Sequence, residues 1–166
     1  MEAGIKLRNT VKVTARDPEG NILWTEEDHN IVVNVGLDEI LDKFWKGSTY
    51  TASHFVGLAD GTPTFASGDT MGSHAGWSEV SAYSEAARQD LTLGTVSGQS
   101  VDNSASKAVF TINADNTVVG GAFLTTDSTK GGTAGILMAG LAFGADRALS
   151  TNDTLDVQWT LTLANA

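Results

Sequence analysis

The sequence predicts a mainly β domain: an antiparallel β-sandwich of jelly-roll or immunoglobulin-like type, with one amphipathic helix near residues 35–46. Short runs of alternating apolar and polar residues recur along the chain, and clusters of Gly, Ser, Thr, Asn and Asp separate them. A single stretch has helical periodicity instead. The 166 residues include no cysteine, so apolar burial and hydrogen bonds must hold this one domain together without disulfides.

The first predicted element is a β-hairpin over residues 5–26. Its first strand alternates polar residues with three that should face the core: Val11, Val13 and Ala15. The sequence "DPEGN" then supplies a turn, because Pro18 presets φ and Gly20 tolerates positive φ. The sequence "ILWTEE" pairs back as the second strand.

The helical pattern covers residues 34–47, "NVGLDEILDKFWKG". Its apolar residues recur at intervals of three and four, which places them in one stripe: Leu37, Ile40, Leu41, Phe44 and Trp45. Asn34 can cap the start of this helix and Gly47 can end it. We expect the apolar stripe to close one end or side of the sheet core.

Further strands are predicted from the same alternation and turn signals, at residues 53–59, 77–83, 88–94, 107–112, 118–126, 135–143 and 154–164. The last is the clearest, because apolar residues occupy every second position from Leu155 to Leu163. With the hairpin, this makes about nine strands. A short helical turn is expected at 85–88, where Arg88 should pair locally. Most of the tryptophans occupy apolar positions and are expected in the core: Trp24, Trp45, Trp77 and Trp159.

The charge of the chain disfavours two classes of partner. Twenty acidic residues against ten basic ones give a net charge of −10, which repels nucleic-acid phosphates and anionic membranes. Lys6, Arg8 and Lys12 cluster near the N-terminus, and solvated charges on an edge strand are the favoured interpretation. The N-terminal residues have no apolar signal region, and residues 134–145 are too short to span a bilayer. We therefore expect a chain that is made in a cytoplasm and stays soluble.

The sequence contains no familiar catalytic or cofactor-binding motif: GxSxG, GxGxxG, HExxH and the P-loop are all missing. A metal site can be drawn from the side chains around one loop, His54, Asp60, Asp69 and His74, but their spacing matches no standard ligand pattern. The oxygen-rich loops at 58–70 and 127–132 lack the EF-hand order, and turn chemistry explains them better. We predict no catalytic residue, no metal site, no cofactor and no enzymatic activity.

Three segments carry a resemblance to a known group of proteins. Residues 30–36 read N-x-V-x-N-x-G before the helix, and residues 56–71 read hydrophobic-G, then G-T-P, then D-T-hydrophobic. Residues 153–163 read D-T-L-x-V-x-W-x-L-x-L. In this order the segments resemble small virion structural proteins of tailed bacteriophages, most closely the head decoration (cement) proteins.

This resemblance implies a protein that binds the outer surface of the phage head and stabilises it. The implied partners are the major capsid protein and further copies of the same chain in a homotrimer. The implied location is the capsid surface of the virion, after synthesis in the host cytoplasm. The alternative is a tail, baseplate or fibre module that contacts other tail proteins or host glycans. The chain lacks the repeats typical of fibres, which favours decoration. A glycan hydrolase is disfavoured because no nucleophile or metal motif is present.

The predicted interface residues are Ile5, Lys6, Leu7 and Arg8. Residues 1–10 have no helical pattern, so they can form an extended arm that adds a strand to a neighbour's sheet edge. Several such contacts in one oligomer would bind firmly through avidity. The alternative is that residues 5–10 are simply the first edge strand.

Overall fold

The computed structural model describes residues 4–50 and 53–165, which form two antiparallel sheets and one short helical element. The predicted mainly β fold is therefore confirmed. The strands are β1 Ile5–Arg16, β2 Ile22–His29, β3 Ile31–Val32, β4 Phe55–Ala59, β5 Gln89–Asp90, β6 Ser100–Asp102, β7 Ala108–Thr111, β8 Thr117–Thr125, β9 Leu137–Leu149 and β10 Thr154–Asn165. The helix α1 covers Asn34–Ile40 and continues as a π-helical segment, Leu41–Trp45.

The first sheet is built on the pairing of β1 with β10, which runs the full length of both strands. β2 pairs with the other side of β1, so the predicted hairpin is confirmed, and Gly20 has the positive φ (+86°) that its turn requires. On its far side, β10 pairs first with β7 and then with β6. The second sheet has the order β3-β9-β8-β4-β5.

The main core lies between the two sheets. Its largest fully buried side chains include Trp159, Tyr83 and Phe110. The alternation predicted for β10 is confirmed over its first half, where Leu155, Val157 and Trp159 are completely buried. The second half extends past the core, and Leu163 at its end is exposed.

A second apolar cluster covers the opposite face of the second sheet. In β8, Ala122 and Leu124 point into the main core, so Phe123 between them points away from it. Phe123 packs against Trp77, and Trp77 packs against Phe65. The loop after β4 therefore acts as a cover on the outer face of the sheet.

Several local strand predictions were wrong. Residues 77–83 form no continuous strand, because this segment crosses from the second sheet to the first and makes single bridges, at Glu79 to Ala59 and at Tyr83 to Ile112. The predicted strand at 88–94 is shortened to β5, and residues 84–87 form a bend without a helical turn. The short strands β3 and β6 were not predicted, so the described residues contain ten strands.

The helix was predicted at the right place, but the expectation that its apolar stripe closes the core was wrong. Gly36 is the buried residue of α1, and it lies so close to the Met138 backbone on β9 that no side chain would fit. Residues follow one another at about 100° around a helix. Because α1 packs against β9 through Gly36, its apolar stripe is turned out of the space between the two sheets. Only Ile40 of the stripe packs against the core, while the other members are exposed: Leu37, Leu41, Phe44 and Trp45. The predicted cap is also missing, since no side chain caps the helix start.

Candidate functional site

A groove of about 480 Å³ lies between the helical element and the paired ends of β1 and β10. The described residues that line it are all apolar: Ile5, Leu7, Leu37, Ile40, Leu41, Phe44, Trp45 and Leu163. We call these eight residues the apolar end. They combine the helix stripe with two of the four residues that the sequence predicted for an interface.

The strand wall of the apolar end is a continuation of the core face of the first sheet. Because side chains alternate along a strand, Ile5 and Leu7 point to the same side as the buried Val11. Leu7 is paired in register with Leu163 of β10. These residues thus have the character and the orientation of core residues, but Ile5 and Leu163 are left 70% and 54% exposed within the described part of the chain.

The helical wall of the apolar end is formed by the exposed apolar stripe of α1 and the π-helical segment. The π-helical segment ends with a hydrogen bond from the Lys46 amide to the Leu41 carbonyl (3.0 Å), and Gly47 follows with a φ of +76°. Phe44 and Trp45 meet edge to face, with 5.3 Å between their ring centroids. Both rings are therefore held together on the surface and not folded back over the core.

The apolar end is large for a single chain. Six of its residues are between 43% and 75% exposed: Ile5, Leu37, Leu41, Phe44, Trp45 and Leu163. At about 200 Å² for a fully exposed large apolar residue, these fractions amount to about 700 Å². The largest apolar patch of a typical monomer covers roughly 300–600 Å². The apolar end therefore has the size of a binding surface.

The four predicted interface residues divide between two faces of β1. Ile5 and Leu7 line the groove, while Lys6 and Arg8 are exposed on the other face of the strand. Residues 5–10 belong to β1 and pair with β10, whereas pairing with β2 begins only at Thr10. The structure thus places these residues in the first strand, and no strand within residues 4–50 and 53–165 pairs with the β2 side of residues 5–8. Residues 1–3 of the predicted arm lie outside the described residues.

A second, smaller groove of about 320 Å³ adjoins the apolar end on the other side of Phe44. It is partly polar, since Glu39, Lys43 and His54 line it together with Tyr50. Burial lowers the pKa of His54 below its ordinary value, and the nearby charge of Glu39 opposes this shift only in part. His54 is therefore a neutral imidazole at neutral pH.

The loop side chains considered as metal ligands are not brought together. Asp69 accepts hydrogen bonds from the Ala66 amide (3.0 Å) and from the indole Nε1 of Trp77 (3.1 Å). His74 stacks on the same indole, with 3.8 Å between ring centroids, and His54 lies in the separate groove beside Glu39. Across residues 4–50 and 53–165, no three His, Asp or Glu side chains are grouped as a metal ion would require. Asp69 and His74 hold the cover in place.

Three other carboxylates are also engaged in structural hydrogen bonds. Glu85 accepts the Thr111 amide with both oxygens at 3.1 Å. Glu79 binds the buried Arg88. In the loop at 127–132, Asp127 accepts the Thr129 amide (2.9 Å), which lowers the pKa of Asp127. These contacts account for the acidic loops through turn and ion-pair chemistry.

The sequence identified Ile5 and Leu7 of the apolar end as interface residues, but it missed the helix residues and Leu163 because these have the periodicity of a core-facing helix and strand. One signal was present in Gly36, because a glycine in a helix interior costs about 1 kcal/mol relative to alanine and suits a position where another backbone approaches closely.

None of the helices that the structure describes combines the length and the apolar character needed to cross a lipid bilayer. A scan of protein-family models, a search of curated proteins and a search of solved structures returned no match for this chain.

Proposed function

We propose that this chain is a non-catalytic structural protein of a tailed-phage particle, a decoration protein that binds the major capsid protein on the outside of the head. The observation that carries a binding role is the apolar end, a surface of about 700 Å² that combines helix and strand residues of core character. A soluble monomer gains nothing from such a surface, whereas an assembly protein needs one.

The arrangement of polar side chains supports a role without catalysis. The groups with the right chemistry for acid–base work, Glu79, Glu85 and Asp69, are occupied by hydrogen bonds that hold loops to the sheets. Among the residues that the structure describes, none with an ionisable side chain lines the concave surface of the apolar end. Apolar contact is thus the chemistry that it offers to a partner.

The phage assignment is supported by the resemblance of three sequence segments. They correspond to parts that build the fold: residues 30–36 lead into α1, residues 56–71 form most of β4 and the cover, and residues 153–163 form most of β10. The net charge of −10 is compatible with a place on the outer surface, where no DNA has to be contacted. The homotrimer stays a prediction.

The alternative, a tail or baseplate module, is favoured by one observation. Trp45 and Tyr50 are both more than half exposed, and exposed aromatic rings are the side chains that stack on sugars. Such a module would bind host glycans or other tail proteins through these rings.

The test is the location of the chain in purified particles of the phage that encodes it. Heads and tails are separated, and the copies of the chain in each fraction are counted by quantitative mass spectrometry against the major capsid protein. We expect many copies per head. A few copies confined to tails would support the alternative, and particles without the chain would refute both.

A further inference from the structure

We propose that the apolar end is the surface through which copies of this chain bind one another, so that its occupant is the apolar end of a second copy. This inference deepens the proposed function, which includes self-association. Its test needs only the purified chain, however, so the two proposals can fail separately.

The exposed area is sufficient for a stable interface between copies. A standard protein–protein interface buries about 800 Å² on each partner. The six exposed residues of the apolar end supply about 700 Å² of apolar surface by themselves. The surrounding polar residues would complete the rim. No extra segment is needed to reach the size of a specific interface.

The charge distribution favours a second copy at this end. Residues 34–47, which form one wall of the groove, carry two basic side chains (Lys43, Lys46) and three acidic ones (Asp38, Glu39, Asp42). This segment thus has a net charge of −1, whereas the whole chain has −10. Two copies that meet here bring near-neutral surfaces together and leave the acidic remainder apart.

The shape of the apolar end is suited to self-association. The same surface presents two protruding rings, Phe44 and Trp45, and a concave floor formed by Ile5, Leu7 and Leu163. An interface between identical chains needs both features on each copy, because the patch of one copy must complement that of the other. Aromatic rings in apolar pockets are also the groups that dominate binding energy at interfaces.

The unpaired side of β1 is a less suitable contact between copies. If residues 5–8 of two copies paired as antiparallel strands with their core faces on one side of the joint sheet, Lys6 or Arg8 of one copy would lie opposite Lys6 or Arg8 of the other. Like charges directly opposite destabilise such a pair, and lysines on an exposed strand edge are a common protection against it. The copies therefore meet through the groove and not edge to edge.

The test is sedimentation velocity of the purified full chain over a wide range of concentration. We expect the wild type to sediment as two or three copies at high concentration and to dissociate on dilution. Phe44→Asp should weaken the association by about 30-fold or more, the effect of losing a central aromatic contact. The matched control is Val96→Asp, because Val96 is 69% exposed and lies outside the apolar end. It should associate like the wild type.

Circular dichroism and thermal melting of both variants establish that they are folded, and Leu41→Asp serves as a second variant on the same surface. A wild type that is monomeric at every concentration would overturn the proposal. So would equal association of Phe44→Asp and the wild type. Flotation with phosphatidylglycerol vesicles tests whether a membrane binds the apolar end instead. If the wild type were monomeric and bound the vesicles, and Phe44→Asp did not bind them, the surface would be assigned to a membrane and the proposal would be refuted.

The two proposals are distinguished by combining this test with the particle count. A chain that self-associates through Phe44 but is missing from particles would refute the phage assignment and leave the interface standing. A chain that is abundant on heads but monomeric in solution at every concentration would refute the interface between copies and leave the decoration role.

Discussion

Arg88 and Glu79 form a buried two-point ion pair, with 3.0 Å from Nε to Oε1 and 2.7 Å from Nη2 to Oε2. The guanidinium has no exposed surface, and it also donates to the carbonyls of Asp127 (2.9 Å) and Gly132 (2.6 Å). Glu79 in turn accepts the Gly131 amide (3.0 Å). We expected Arg88 to pair with a close neighbour in sequence, but its partner Glu79 lies nine residues away. The ion pair also holds the loop at 127–132 against the sheet.

Replacing Arg88 should be strongly destabilising. Arg88→Met leaves the Glu79 carboxylate buried without its cation and two carbonyls without donors, so we expect the free energy of unfolding to fall by about 3–5 kcal/mol. Urea unfolding followed by tryptophan fluorescence measures this change. Arg16→Met is the control, because Arg16 forms a partly exposed pair with Asp156 at 3.7 Å and should lose less than about 1 kcal/mol. Similar losses in both variants would contradict the structural role of Arg88.

Asn103 should be essential for the first sheet, since its side chain fills the gap between β7 and β6 along β10. Its Nδ2 donates to the Val157 carbonyl (3.2 Å), and its Oδ1 accepts the Trp159 amide (2.7 Å). Asn103→Ala leaves both backbone groups buried and unpaired, which should cost about 2–4 kcal/mol. Chemical denaturation tests this loss. Asn113→Ala, at an exposed position, should change stability by less than about 0.5 kcal/mol.

Gly36→Ala should destabilise the chain, although alanine is the better helix former by about 1 kcal/mol. A Cβ at this position would overlap the Met138 backbone, so α1 would have to move away from β9. We expect a loss of about 1–3 kcal/mol in thermal or urea unfolding. Gly68→Ala is the matched control, because nothing lies within 4 Å of its Cβ position and its φ is ordinary. A stabilised Gly36→Ala variant would contradict the close packing of α1.

His54 should make the stability of the chain depend on pH. Because burial lowers the pKa of His54 in the folded chain below the unfolded value of 6.5, the unfolded chain binds this proton first as the pH falls. The stability that the folded chain gains from keeping His54 neutral is fully present above pH 6.5, and it is lost progressively below that pH. Glu39, Lys43 and Asp90 are the charged groups that line the grooves around His54.

The measurement compares the free energy of unfolding at about pH 7.5 and about pH 5.5, for the wild type and for His54→Gln. We expect the wild type to lose more stability on acidification than the variant. An equal loss in both would show that His54 protonates as easily in the folded chain as in the unfolded one.

The loop at 58–70 should not respond to metal ions. The Asp69 carboxylate is occupied by the Trp77 indole and the Ala66 amide, so Zn²⁺ or Ca²⁺ in excess should leave the melting temperature unchanged. Asp69→Ala should instead lower stability by about 1–3 kcal/mol, because the indole N–H is left buried without an acceptor. A clear rise in melting temperature with either ion would contradict this assignment of Asp69.

The strands that the sequence predicted well are those whose alternation or flanking turn residues are set by neighbours in sequence: β1, β2, β4, β7, β8 and β10. The strand predicted at 135–143 was found at the right place, but β9 runs six residues further, to Leu149. The predictions at residues 77–83 and 88–94 were wrong because the same alternation also suits a segment that crosses between sheets. The short strands β3 and β6 depend on partners far away in the chain, so no local pattern marks them.

The sequence by itself determined the fold class, the β1–β2 hairpin, the position of the helix and the lack of disulfides, because these follow from periodicity, turn chemistry and composition. Tertiary structure alone decided which apolar residues are covered. Leu155 and Leu163 occupy equivalent positions of one alternating strand, yet one is buried and the other exposed. The physical reason is that periodicity specifies a face, whereas burial requires a second layer opposite that face. The second sheet covers Leu155, and it does not extend over the apolar end.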